Sequence, residues 1–517
     1  MFVSRKAKLK VSIEIGRQGA YDTALLDLIP KKWLPDYISY VFAAAAARRD
    51  EVRRQSTPLA AILESALPQQ RPAAKFAANL TESLRMARLI VDDLRVFDHV
   101  SLDLGSGEAD AGQWTLLLGD NAVGKTTLLR AIALACIEQP TSSALLELTG
   151  IAAPFVRHQE TRAAVTLWTS AGEIRCSIAA NTTSERLERQ GPILPGTVFA
   201  YGCQRGTAFG GPMREVDLSP IGSVRTLFDD NAHLIHAETW LQEMRLAMHE
   251  GGGAREAFYE ALRATLLAVL PGVESIDFDE NAQLWLDGPK IGRSPLAAMS
   301  GGYVTTIGWI VDMVARWADL SHRHGVELDG DFRDKMTGLV LIDEIDLHLH
   351  PVWQTEIVSS LRRQFPRMSF VATTHNPLTL MGAKPGEIWV LRRDAESGHV
   401  DVSQRDIREG MSADDVLTGE WFGLVSTLDT GTQDLLDQHR ALLRAGVAVD
   451  DPRRQELEKK LRRRLGTFPS TSLDRMVQSI AAELMEGDFR RKTPDERHPI
   501  RRQILERARK EKAELRA

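Results

Sequence analysis

The feature that most narrows what this chain can fold into is Gly119-Asp120-Asn121-Ala122-Val123-Gly124-Lys125-Thr126. It is a complete G-x-x-x-x-G-K-[ST], and both flanks suit it. The apolar run from Trp114 to Leu118 reads as a buried strand, and Thr126-Thr127-Leu128-Leu129 opens a helix. Gly119 and Gly124 let the backbone wrap a phosphate chain, so that amide N–H groups and the helix N-terminus face negative charge. Lys125 is predicted to reach the terminal phosphates of a nucleoside triphosphate and the Thr126 hydroxyl to ligate Mg²⁺, with Thr127 beside it. A chance glycine-rich loop would not bring strand, loop and helix together.

A second segment, Gly338-Leu339-Val340-Leu341-Ile342-Asp343-Glu344, is an apolar strand that delivers two carboxylates at its C-terminal end. Strand-end Asp-Glu pairs often just cap a following helix. Paired with the phosphate loop, the arrangement predicts a Walker B strand. Asp343 then holds Mg²⁺, directly or through water, and Glu344 orients or deprotonates the attacking water. His375 ends the next predicted strand, in Ala372-Thr373-Thr374-His375-Asn376-Pro377. Upstream, Met299-Ser300-Gly301-Gly302-Tyr303 opens an apolar helix from Thr305 to Trp317. A serine and two glycines at a helix start form a second anion-binding geometry, or a simple N-cap with a hinge.

The order and wording of these segments resemble the RecF-like and OLD-like ABC ATPases of bacteria. Within that group, Ala200-Tyr201-Gly202-Cys203-Gln204-Arg205, the run from Val224 to Leu241, and Ile345-Asp346-Leu347-His348-Leu349-His350-Pro351 resemble the ATPase subunit of Septu-type and related anti-phage defence systems. The resemblance spans roughly residues 86–440. It implies an α/β fold: an ABC-type, RecF/SMC-like P-loop head with a mixed β-sheet, an inserted helical/β lobe and an α-helical C-terminal region. It implies ATP and Mg²⁺ as ligands. His375 becomes the switch histidine at the γ-phosphate, and Lys125, Glu344 and His375 the catalytic set. Ser300, Gly301 and Gly302 become a signature that binds the nucleotide held by an opposite subunit. Asp346 becomes the D-loop aspartate, and Gln204 a Q-loop residue that senses Mg²⁺ and γ-phosphate. Arg95 and Phe97 fall where related heads contact adenine, although a core aromatic explains Phe97 as well. His348 and His350 look structural.

Around this head, residues 1–84 read as an N-terminal extension, with a strand-like Leu9–Ile15 and a helix-like Val41–Arg54. Residues 85–400 read as the head, with its insert at about 130–295, and 401–517 as a helical partner-binding region. Hairpins are predicted around Ser170-Ala171-Gly172 and Glu280-Asn281. Interior strands are predicted at Leu339–Ile342, Ser369–Ala372 and Ile388–Leu391, with strand signals stopping after about residue 400. Asp434–Arg444 and Arg453–Leu465 read as exposed helices. Trp421 and Phe422 read as packing residues rather than base-stacking ones.

Composition closes off other classes. A formal net charge of −6 argues against a uniformly basic nucleic-acid binder. The tail from Arg490 carries eleven Lys/Arg against five Asp/Glu, a solvated face or a phosphate-backbone contact. No run approaches the roughly 20 apolar residues of a membrane span, and Met1 to Lys10 lacks an apolar signal region. Cys136, Cys176 and Cys203 lack CxxC spacing, suit a reducing cytoplasm, and read as small buried apolar residues. Tyr303 stands where transporter ATPases carry Gln or Glu, and no Toprim-type acidic cluster follows the head. The resulting expectation is an ATPase acting as a homodimer or higher homo-oligomer through its heads, with a separately encoded nuclease effector, DNA as a further possible partner, and no membrane. The alternative is a RecF-like DNA-binding repair clamp.

Overall fold

The computed structural model describes residues 83–465 apart from 106–110, 151–153, 182–183, 193, 195–197, 206–218, 251–252, 395, 408–410, 420, 423–426 and 449. The strand expected over Leu9–Ile15, the helix over Val41–Arg54 and the basic tail from Arg490 lie outside the described residues.

The described chain enters through β1 (Met86–Leu94) and β2 (Phe97–Asp103), an antiparallel pair. β3 (Trp114–Gly119) then runs into the phosphate loop and helix α1 (Lys125–Cys136), followed by α2 (Gln139–Gly150). β4 (Arg162–Thr169) and β5 (Gly172–Ala180) form the hairpin expected around Ser170–Gly172, and β6 (Glu185–Gln190) continues it. β4 alternates between buried and partly exposed residues, as a strand does when one face meets a core and the other meets water. It pairs with β1, so one five-stranded antiparallel sheet runs β2-β1-β4-β5-β6.

The second sheet carries the site. β7 (Val198–Tyr201) is followed by α3 (Ala237–Glu250), α4 (Gly253–Val269), the hairpin β8 (Ser275–Phe278) and β9 (Leu284–Asp287), and the short β10 (Ser294–Pro295). Helix α5 (Gly301–Arg323) and the single turn α6 (Phe332–Lys335) lead into β11 (Gly338–Ile342), α7 (Pro351–Gln364), β12 (Met368–Thr374), β13 (Ile388–Arg393) and β14 (Val400–Gln404). The order is β14-β13-β3-β12-β11-β7, parallel throughout except for β14.

β14 departs from the expectation that strands stop near residue 400. Val400, Val402 and their polar neighbours alternate weakly. The strand exists because the unpaired edge of β13 offers a ladder, a tertiary cause that local patterning does not reveal.

β11 and β12 are buried along their whole length, and alternate residues feed opposite sides of the sheet. Leu339, Leu341 and Val371 join a core shared with α1 and the antiparallel sheet. Val340, Ile342, Phe370 and Ala372 join a core shared with α4, α5 and α7. Coverage on both faces is what makes these strands continuous apolar runs. Beyond the sheet, α8 (Ala413–Thr418) starts at a capping box of Ser412 and Asp415. α9 (Thr430–Arg444) and α10 (Pro452–Arg464) pack as a hairpin on a small core of their own around Leu457 and Leu461. Trp421 and Phe422 pack partly buried against the main core.

Candidate nucleotide-binding site

Four parallel strands, β7, β11, β12 and β3, end side by side, and the residues that follow their C-terminal ends make the site. This is where ligands settle in an open parallel sheet. Two glycines shape the phosphate loop. A Cβ on Gly119 would lie 2.4 Å from the Leu391 carbonyl oxygen. Gly124, at φ 99°, has the Phe97 ring where its Cβ would go, 2.4 Å away. Phe97 is fully buried and braces the loop from beneath. Asp120, Asn121 and Ala122 are exposed at the loop tip, Val123 is buried under it, and Arg393 Nη2 donates to the Ala122 carbonyl at 3.1 Å.

The Lys125 ammonium donates to the carbonyls of Gly119 (2.8 Å) and Asp120 (2.9 Å). Burial pushes its pKa below the ordinary lysine value, while Asp343, Glu344 and Asp120 favour its charge. Thr126 Oγ1 donates to Asp343 Oδ2 at 2.7 Å, and Thr127 is buried behind it. Asp343 Oδ1 accepts from Thr373 Oγ1 at 2.6 Å, and the Cys203 thiol lies 3.2 Å from Oδ2. The Thr126 hydroxyl and the Asp343 carboxylate thus present hard oxygens at one point, the donor set that Mg²⁺ takes. The residues fit that ion.

Glu344 follows with φ 48°, a left-handed backbone that costs a non-glycine residue about 1–3 kcal/mol and persists only where neighbours enforce it. Its N–H donates to Thr373 Oγ1 at 2.7 Å, and its carbonyl accepts from Arg205 Nη2 at 2.5 Å. The same Nη2 donates to the Asp343 carbonyl at 2.8 Å. Asp346 lies half-buried one turn on, and burial raises its carboxyl pKa. His375, half-buried just past β12, is held below the ordinary histidine value by burial and then by the Lys125 charge.

Ser300 is the N-cap of α5. It is exposed, and its hydroxyl makes no capping bond. Gly301 and Gly302 seat this turn against the loop from Asp346 to His350 of the same chain. A Cβ on Gly302 would come 2.6 Å from the His348 carbonyl oxygen, and one on Gly301 would lie 3.6 Å from the His348 ring. His350 caps α7, its ring accepting from the Val352 N–H at 3.4 Å.

The structure therefore gathers Lys125, Thr126, Asp343, Glu344 and His375 around one strand-end cleft, with Asp346 on the adjoining loop. Gln204 is exposed, while its neighbour Arg205 is buried and bonded to the carbonyls of Asp343 and Glu344. Arg95 stacks its guanidinium 4.2 Å over the Phe155 ring, and its Nε donates to Pro154 O; burial lowers its pKa to about 10. Sequence reasoning missed Arg205, Thr373 and the position of Cys203. Cys203 is only partly buried and faces a carboxylate, unlike the buried Cys136 and Cys176. No spacing signals these three, because each depends on which strands lie side by side.

Fold and strand-end motifs together define the class: an α/β P-loop fold with a mixed sheet, its phosphate loop following β3 and its paired carboxylates following β11. In sequence the chain is similar to the Septu protein PtuA of Bacillus mycoides, 27% identical over 354 residues, a match covering 67% of this chain and 45% of that relative. It is also similar to the "Retron Ec83 probable ATPase" of Escherichia coli, 34% identical over 128 residues, covering 25% of this chain and 22% of the relative. The chain thus spans less than half the length of these curated relatives. Residues 332–381, which include Asp343, Glu344 and His375, match the family described as "AAA domain, putative AbiEii toxin, Type IV TA system". Among solved structures, the SMC head domain from Thermotoga maritima aligns over 62% of this chain and 100% of its own, at 14% identity and a TM-score of 0.34. No described helix is long and apolar enough to cross a membrane.

Proposed function

We propose that this chain is an ATPase of a bacterial anti-phage defence assembly, binding ATP with Mg²⁺ and hydrolysing it in a site completed by Ser300 of a second copy. The observation that carries the reading is the Thr126–Asp343 hydrogen bond of 2.7 Å. It joins the phosphate loop to the Walker B strand where a hard cation needs two oxygens, with Glu344 the next residue along. Similarity to PtuA and to a retron ATPase supports the defence setting.

Mg²⁺, when bound, neutralises charge that builds on the phosphoryl oxygens, and Thr126 and Asp343 would hold it. The chain's own groups do the rest. The loop amides and Lys125 orient the triphosphate. Glu344 takes a proton from the attacking water, and the His375 imidazole, biased toward its neutral form, donates a hydrogen bond toward the γ-phosphate. Ser300 and its glycines, at the surface end of the long helix α5, bind the γ-phosphate held by the facing copy, so closure and hydrolysis are coupled. Asp346 lies beside that contact and relays it. The helical region after the head recruits a separately encoded nuclease.

The test is Glu344→Gln. It should retain ATP binding, slow turnover by about 10²–10⁴-fold, and accumulate as an ATP-bound dimer by light scattering. Wild-type turnover in that variant would remove Glu344 from the chemistry. DNA retention by the protein alone, dependent on ATP and lost in Lys125→Ala, would favour the RecF-like clamp instead.

A further inference from the structure

We infer that Arg205 is a positioning residue that fixes the backbone of Glu344 and so aims its carboxylate; the inference rests on the proposed ATPase reading. Four observations carry it. Arg205 is 2% exposed, so its charge has been taken out of water. It does not sit in a carboxylate fork, the arrangement that usually justifies a buried guanidinium. Both its hydrogen bonds come from a single nitrogen, Nη2, and end on main-chain carbonyls, those of Asp343 and Glu344. Nε and Nη1 are buried without a hydrogen-bond partner among the described residues.

A group kept only for stability would not leave three of its five N–H donors unmade in a dry interior, where each unmade bond is a cost. What Arg205 does achieve is local. Glu344 holds a left-handed backbone that its side chain disfavours. Thr373 Oγ1 accepts from the N–H on one side of its Cα, and Arg205 Nη2 donates to the carbonyl on the other. With both peptide polar groups pinned, the direction of the Cα–Cβ bond is set. Arg205 can reach this turn because β7 lies beside β11 in parallel register, Tyr201 opposite Ile342. Gly202 then passes so close to the Thr226 carbonyl that a Cβ would come within 2.2 Å. Burial lowers the Arg205 pKa only to about 10, so the guanidinium remains charged at neutral pH.

The test compares Arg205→Met with Glu344→Gln on the full chain. Arg205→Met should lower kcat at least tenfold, with KM and the affinity for a fluorescent ATP analogue within about threefold of wild type, because Arg205 touches no part of the nucleotide. In the Glu344→Gln background the same substitution should cause less than a twofold further loss, since no carboxylate is left to aim. If Arg205→Met does not fold, Arg205→Gln is read by the same two criteria. A kcat within twofold of wild type, or a full multiplicative loss on top of Glu344→Gln, would refute the role. Were wild-type protein to hydrolyse ATP while Arg205→Met behaved normally, only this inference would fall. Were wild type inactive and unable to bind ATP, the ATPase reading itself would fall.

Discussion

The Thr126 hydroxyl donates to the Asp343 carboxylate across 2.7 Å, although 217 positions separate the two in the chain. β12 makes this possible by lying between β3 and β11, so that both residues emerge from the same edge of one parallel sheet. Asp343→Asn should keep the fold, because Thr373 and Thr126 can still bond a side-chain amide. It should lower ATP turnover by about 10²–10³-fold, the usual scale for losing one charge-stabilising group. Phosphate release at saturating MgATP measures it. A loss under tenfold would mean that Asp343 does not hold the cation.

Much of this architecture was readable because β11, β12, β13 and the flank of the phosphate loop are single apolar runs whose burial demands a covered parallel sheet. The hairpins at Ser170–Gly172 and Glu280-Asn281 were marked by turn residues between alternating segments. What stayed hidden depends on which strands adjoin. β14 forms by pairing with β13, β6 forms beside β5, and Arg205 meets Glu344 only because β7 lies next to β11. The sequence reading singles out Gln204 and passes over Arg205 beside it. One is exposed and the other buried, a difference set by the direction in which the chain leaves β7.

A buried polar network joins β7 to helix α5. Asp312, on α5, accepts from Tyr201 Oη at 3.0 Å, from Arg316 Nε at 2.8 Å and from the Ile235 N–H at 2.9 Å. Asp312 is 1% exposed and Arg316 7%. Asp312→Ala strips a buried guanidinium of this counter-charge and should destabilise the protein by about 3–5 kcal/mol. Tyr201→Phe removes one neutral donor and should cost about 1 kcal/mol. Urea unfolding separates them, and equal losses would show that the carboxylate does not organise the network.

The thiols supply a pH-dependent prediction. Burial pushes Cys136 and Cys176 from the ordinary value of 9.0 up to about 12, and burial together with Asp343 does the same for Cys203. Folding therefore favours the protonated thiol. The stability contributed by the two buried thiols is complete below pH 9 and is lost as pH rises from there toward about 12, where the folded protein also ionises. At pH 8 the native thiolate fraction is lower than that of a free cysteine by about a thousandfold, so alkylation should slow on that scale. All three cysteines should react promptly once the protein is unfolded. Fast labelling of Cys203 in the native protein would contradict its placement beside Asp343.

The shared-site reading makes its sharpest prediction in mixtures. Ser300 lies exposed at the start of α5, its hydroxyl makes no capping bond, and its two glycines are seated against His348 of their own chain. Lys125→Ala destroys the phosphate loop of a chain but leaves its Ser300 intact. Ser300→Arg blocks the signature but leaves that chain's Lys125 intact. Each variant alone should be inactive. Mixed one to one, half the dimers should be heterodimers in which the Lys125 of one copy meets the Ser300 of the other. If the two sites turn over independently, activity should return to about a quarter of wild type. Titrating one variant into the other while following phosphate release reads this directly. A mixture no more active than its components would mean that Ser300 serves its own chain's nucleotide or none, and the two-copy site would have to be abandoned.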